Sequence, residues 1–179
     1  MTSGRARTGP TIRDARPDER DEVRAVTLAA YREYAARMPR LWDSYRQNIE
    51  ATLADVGPAQ QLVVEQDGAI VATVLLYPPR RVHAPRGESI EMPWPEARLL
   101  AVAPAARGRG LGTALMQECV RRTRQTGARV LSLHTTDVME TAVRMYERMG
   151  FVRAPELDFH PAPDVTVKGY RLDLPDGVR

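Results

Sequence analysis

Apolar residues recur along this chain at two different spacings, and each change of spacing marks an element. Thr11 to Asp14 is a short extended run. Val23, Val26, Ala30 and Tyr34 then repeat at helical spacing, behind Pro17 in a first-turn position and acidic Asp18 and Glu19 at the positive end of the helix dipole. This predicts a first helix to about Arg37, which Pro39 interrupts. Trp42, Tyr45, Ile49 and Leu53 predict a second, ending near Gly57-Pro58. Leu62-Val63-Val64 and Ile70 to Tyr77 flank Asp67-Gly68, a pairing that predicts an antiparallel hairpin with a tight primed turn. Pro78 to Pro95 has no clear periodicity and carries Arg80, Arg81 and Arg86, so it reads as a long connection.

The second half is more regular. Ala97 to Val102 reads as a buried strand, and Leu111, Leu115 and Cys119 mark one face of a helix that ends at Gly127. Val130 to Leu133 is the next strand. Asp137 with Glu140 three residues on has the form of a capping box. The helix after it has Val138, Ala142, Met145 and Met149 as its apolar face, and Gly150 closes it. Val165 to Leu174 supplies a last strand. Strand, helix and strand in succession imply a right-handed crossover with parallel pairing, whereas the earlier hairpin is antiparallel. The predicted fold class is therefore α/β, with a mixed, mostly antiparallel central sheet and helices on both faces.

Composition narrows the class of molecule. With 179 residues, 43% hydrophobic and 27% charged, the chain is expected to form one domain over residues 11–179 behind a flexible tail over 1–10. No apolar run approaches the roughly 20 residues of a membrane span, and Met1 to Pro10 lack the apolar stretch of a secretory signal. One cysteine, Cys119, excludes an internal disulfide framework and fits a cytoplasmic setting. The net charge of +3 comes from arginines interspersed with acids, which argues against nucleic acid as a partner. His83, His134 and His160 lack metal-ligand spacing, so no metal is expected, and His134 is read as structural. Glu156, Asp158 and Asp164 are read as a solvated loop.

The exception to the mixed charge is Arg107-Gly108-Arg109-Gly110-Leu111-Gly112-Thr113, set between a strand and a helix. Glycines allow close approach to the backbone, and the unpaired N–H groups of a first helical turn attract phosphate. A nucleotide P-loop would require a Lys-Ser or Lys-Thr pair, which is missing, and Gly112 falls one place early for a dinucleotide fingerprint.

Residues 107–112 resemble the acetyl-CoA pyrophosphate loop of the GNAT superfamily of N-acetyltransferases. Leu99-Leu100-Ala101-Val102 and Pro104 are similar to the end of that family's fourth strand, and Ala142 to Phe151 resembles its signature Ala-x-x-x-Tyr-x-x-x-Gly-Phe. The resemblance implies a splayed parallel strand pair and a soluble enzyme moving an acetyl or short acyl group from acyl-CoA to a primary amine by direct attack. The acceptor would be a small-molecule or peptide amine, and dimers are common in the family. Leu100, Ala101 and Val102 would hold the pantetheine arm, the N–H near Val102 would polarise the thioester carbonyl, and the amides of Arg107, Gly108, Arg109, Gly110, Leu111, Gly112 and Thr113 would cradle the pyrophosphate. Tyr146 would be the acid that protonates the departing thiolate. Glu96, at the mouth of the strand, is the candidate base, with Glu91 and Glu88 as rivals. Met139 stands where the family often has a cofactor-contacting Asn. The alternative reading is a non-catalytic acyl-CoA-binding module. A nucleotide-dependent oxidoreductase domain is a weaker rival, with Asp137 as a mimic of a ribose-binding acid.

Overall fold

The computed structural model describes residues 9–83, 89–162 and 165–175; of the tail expected over 1–10, only the last two residues are among them. Strands β1 (Thr11–Asp14), β2 (Gln60–Gln66), β3 (Ala69–Tyr77), β6 (Glu96–Val102), β7 (Val130–Thr135), β10 (Val165–Asp173) and β8 (Val152–Arg153) lie side by side in that order, with β9 (Phe159–Ala162) also pairing β10. All neighbours are antiparallel except β6 and β7. The predicted hairpin forms as expected: Asp67 and Gly68 take φ of 53° and 84°, the positive pair that a primed turn requires.

Helices α1 (Arg20–Tyr31) and α2 (Trp42–Ala54) cover one face of the sheet and α3 (Leu111–Gln125) the other. Val23, Ala30, Ile49 and Leu53 pack on Val63, Ile70 and Leu75, while Leu111, Leu115, Met116 and Cys119 pack on Leu62, Val64, Val74 and Leu131. Leu115, Met116 and Cys119 have no exposed surface. Truncating such a leucine to alanine typically costs about 2–5 kcal/mol. Helix α4 (Glu140–Arg148) lies across both cores, since Met139 at its start belongs to the first and Tyr146 to the second.

Four details depart from the sequence reading. The first helix ends at Tyr31 and continues as a 3-10 turn over Arg32–Ala36. The supposed connection between Pro78 and Pro95 contains a second hairpin, β4 (Arg80–His83) with β5 (Ser89–Met92). No capping box starts α4: Met139 is the N-cap residue, and the Asp137 carboxylate pairs instead with Lys168 Nζ at 2.6 Å. Asp158 is no solvated acid. It receives Arg153 at 2.8 Å and the Gly169 N–H at 2.8 Å, while Glu156 lies 3.5 Å from Arg171; Asp164 lies outside the described residues.

Candidate active site

Parallel pairing between β6 and β7 is limited to Glu96 opposite Ser132 and Ala97 opposite Leu133, after which the strands part. A β-bulge in β6 sits at this point. Thr73 of β3 stands opposite Ala101 and Leu75 opposite Arg98, so Val74 alone faces Leu99 and Leu100 together. Leu99 takes φ of 52°, a left-handed conformation that costs an L-residue about 1–2 kcal/mol. Ala103 N–H donates to Val71 O at 2.9 Å, so alternation turns the backbone of Ala101 to β3 and those of Leu100 and Val102 to the gap. Before the bulge the parity is reversed: Pro95 O accepts from Ser132 N–H at 2.9 Å, which turns Ala97 to β7. Of the residues expected to line a pantetheine arm, Leu100 and Val102 therefore offer polar backbone groups to the gap, and Ala101 offers its own to β3.

Where the gap widens, the loop after β6 delivers α3. Gly108 and Gly110 have φ of 73° and 74°, and Gly110 is the N-cap of α3 with no side-chain cap. Arg107 N–H is used, donating to Pro104 O at 3.4 Å, but the N–H groups of residues 108–113 have no acceptor among the described residues. Together with the helix dipole they form an anion cradle. Of the two arginines expected to add charge, only Arg109 is free to do so. Arg107 turns back to Glu33 Oε2 at 3.0 Å and Ala30 O at 2.9 Å, tying the loop to the end of α1.

Tyr146 is the most deeply buried residue of α4, at 7% exposure, while Ala142, Met145 and Met149, expected to form the buried face, are half-buried. Its ring packs 5.8 Å from that of Phe151. The hydroxyl makes no hydrogen bond among the described residues, yet it is not sealed from solvent. Burial, reinforced by neighbouring Tyr34 and Tyr45, pushes its pKa well above that of a free phenol, so the group keeps its proton. Tyr31 and Tyr45 bring their rings within 5.9 Å of each other. Burial raises the pKa of both phenols.

Glu96 begins β6 at 3% exposure, so it is not the solvated mouth residue that its sequence position suggested. Arg80, from the unanticipated hairpin, pairs with Oε2, and His134 Nδ1 lies 2.6 Å from Oε1. The second ring nitrogen of His134 donates to Leu157 O at 2.9 Å. A carbonyl can only accept, so a proton must also lie in the short contact between Nδ1 and the carboxylate. Burial pushes the Glu96 carboxyl up, but the hydrogen bond from His134 and the charges of His134, Arg98 and Arg80 outweigh it, and the pKa is lowered. Of the rivals, Glu91 is exposed and paired with Arg81, and Glu88 lies outside the described residues.

Gly169 makes this arrangement possible. It stands opposite His134 in the β10–β7 register, and a Cβ there would lie 2.3 Å from Leu157 Cβ and 2.8 Å from Ala154 O. Its bare backbone admits the turn over Pro155–Leu157, whose last carbonyl holds the imidazole. Sequence reasoning treated His134 as structural and passed over Arg80 and Gly169. No short motif links these positions, and only Gly169, a glycine inside a strand, hinted at a close approach. Among the described residues no cluster of His, Cys, Asp or Glu could hold a metal ion, and no helix is long and apolar enough to cross a membrane.

Comparison with known proteins accords with this geometry. The profile of the acetyltransferase (GNAT) family matches residues 27–151. An S-(2-succino)cysteine N-acetyltransferase of Bacillus subtilis is 28% identical over 83% of this chain and 88% of its own. A mycothiol acetyltransferase of Sanguibacter keddieii is 31% identical over 82% of this chain but only 44% of its own, so the chain spans less than half of that relative's length. The crystal structure of a GNAT family acetyltransferase from Brucella melitensis in complex with acetyl-CoA superposes with a TM-score of 0.60 at 26% identity, covering 95% of this chain and 94% of the other.

Proposed function

The chain belongs to the acetyltransferase (GNAT) family, and on that premise we propose that it moves an acetyl group from acetyl-CoA to the nitrogen of a small amine by direct attack. The observation that carries this reading is the β6–β7 gap, with Leu100 and Val102 turned into it and the unpaired amides of residues 108–113 at its wide end. An extended amide-bearing arm fits the first feature as an added strand would, and a pyrophosphate fits the second.

In this reading the amine nitrogen forms a bond to the thioester carbonyl carbon while an N–H facing the gap steadies the developing oxyanion. The C–S bond then breaks, and Tyr146 gives its hydroxyl proton into a hydrogen bond with the departing sulfur. A buried phenol holds its proton more tightly than a thiol, whose ordinary pKa is about 8.5. Tyr146 therefore acts through that hydrogen bond as charge builds on sulfur, which solvent then neutralises. Before attack, the ammonium form of the acceptor must lose a proton. We assign its removal to the Glu96–His134 pair. With Nε2 committed to Leu157 O, the pair already holds one proton, and it acts as a base only after releasing it. Turnover should accordingly rise with pH through that release and level off above it.

The acceptor does not follow from family membership, because relatives bear names as different as S-(2-succino)cysteine, mycothiol and streptothricin acetyltransferase. The test is thermal unfolding with acetyl-CoA, CoA and NAD, followed by an amine screen that detects released CoA thiol. A ligand at 100 times its Kd adds about 2.7 kcal/mol to the folded state. Stabilisation by CoA species followed by amine-dependent thiol release is the expected result. Binding without release for any amine would favour a non-catalytic acyl-CoA module, and stabilisation by NAD alone would overturn both readings.

A further inference from the structure

Arg98 has no part in the chemistry above. It lies on β6 just before the bulge, directed like Leu75 opposite it to the face covered by α1 and α2. It is half-buried and makes no hydrogen bond or ion pair among the described residues; its guanidinium carbon lies 5.7 Å from the centroid of the Tyr77 ring. Tyr31, Tyr45, Tyr77 and Glu96 all feel its charge. Tyr31 and Tyr77 belong to the core beneath α1 and α2, and Tyr45 packs against it, so Arg98, directed to that face, shares one tyrosine-lined space with them. The hydroxyls of Tyr31 and Tyr45 make no hydrogen bond among the described residues, and burial keeps both neutral.

A half-buried guanidinium without a counter-ion is available to an anion that a ligand brings. Glu96, a carboxylate that feels the charge of Arg98, is already taken by Arg80 and His134. Arg80 itself keeps Nη1 buried and without a partner. The space therefore carries net positive charge beside neutral hydroxyl donors. Such a lining repels a plain cationic amine and attracts a molecule that brings an anion with its amine.

We infer that Arg98 binds the carboxylate of the acceptor, and that the acceptor is an amine bearing a carboxylate, of the amino-acid class. Leu100, whose backbone faces the gap, lies two residues further along β6, just beyond the bulge. One amino-acid-sized molecule spans that interval, with its carboxylate on the guanidinium, supported by the Tyr31 and Tyr45 hydroxyls, and its nitrogen at the gap. This inference rests on the transferase reading and specifies its acceptor site.

The test compares acceptors matched except for charge: free amino acids, their carboxamides and a diamine, each with acetyl-CoA and detection of released thiol. The wild type should use the acids about 10- to 100-fold better in kcat/KM, with the difference lying in KM, as expected for a charge-assisted hydrogen bond. Arg98→Gln should bring the ratio of acid to amide close to one, and Arg98→Lys should restore part of it. Tyr146→Phe should lower kcat for acid and amide alike without changing their ratio. Acid and amide used equally well by the wild type, or a preference that survives Arg98→Gln, overturns the inference and leaves the transferase reading standing. Thiol release with no amine at all removes both. The wild-type comparison decides even where Arg98→Gln does not fold.

Discussion

The loop between β6 and α3 and the tyrosine-lined face beneath α1 and α2 border the same gap, yet they are built in opposite ways. The first presents backbone: N–H groups of residues 108–113, held outward by two glycines at positive φ. The second presents side chains, and those of Tyr31, Tyr45, Tyr77, Arg80 and Arg98 come from five separate elements. Backbone donors need contiguous residues of little bulk, and so leave a compact trace in the sequence. Side-chain donors need only meet in space. The half that handles the ligand shared by the family is thus made of the part of the chain that varies least between residue types, and the half proposed to select the acceptor is made of the part that varies most.

Substitutions can break this contrast at several points. The largest effect is expected where the halves meet. Tyr146→Phe removes one hydroxyl and should lower kcat about 100-fold or more, the usual worth of a hydrogen-bond donor aimed at developing charge, while acetyl-CoA still raises the unfolding temperature as in the wild type. Gly110→Val should next weaken acetyl-CoA binding by at least about tenfold, because a branched residue at φ of 74° is strained and its methyls stand before the amides. Its signature is loss of the ligand-induced thermal shift. On the acceptor side, Gly169→Ala should destabilise the fold by about 1–3 kcal/mol, the usual cost of overpacking, and displace Leu157 from His134. Denaturant titration measures the first effect and a changed pH–rate profile the second.

Smaller effects sharpen the contrast. Arg109→Gln should weaken acetyl-CoA only about two- to fivefold, since an exposed charge adds about 0.2–1 kcal/mol to what the amides do. Equal loss from Arg107→Gln would count against the assignment of Arg107 to the α1 tether. The mildest prediction concerns acid. Hydrogen bonds from Arg13 lower Glu19, and those from Arg121 and Arg122 lower Glu118, from 4.5 to about 2. Groups lowered in the folded state stabilise it above their unfolded pKa and lose that contribution as pH falls. Unfolding temperature should hold down to about pH 4.5 and decline from there towards pH 2, which a pH series of thermal melts would trace.

Much of the framework was legible because it rests on local rules. The primed turn at Asp67-Gly68, the helices of Leu111–Gln125 and Glu140–Arg148 and the strands either side of α3 all formed near their expected positions. The hairpin of β4 and β5 escaped notice because prolines flank strands of only four residues, too short for alternation to register. Asp137 had the spacing of a capping residue, but Lys168, distant in sequence, offered it a full charge. Glu96 was identified as a residue of interest. Its burial was not, because its partners Arg80 and His134 come from that hairpin and from the neighbouring strand. Local rules describe what a segment can do alone, and these residues were decided by what the fold brought against them.

The bulge at Leu99 and Leu100 makes the gap depend on the length of β6 more than on its spelling. Replacing Leu99 changes one side chain and leaves the number of residues opposite Val74 as it is. Deleting one residue there would restore plain alternation, leaving Leu100, Ala101 and Val102 facing as they do while removing the bend that the extra residue puts into the strand. A strand of unchanged length without the bulge would instead turn the backbone of Ala101 into the gap and hand those of Leu100 and Val102 to β3. A lineage that kept every motif residue but lost this single extra unit would keep the facing of the strand and lose the bend that leads it away from β7. In this part of the chain the shape of the gap is therefore set by one extra residue more than by the side chain it carries.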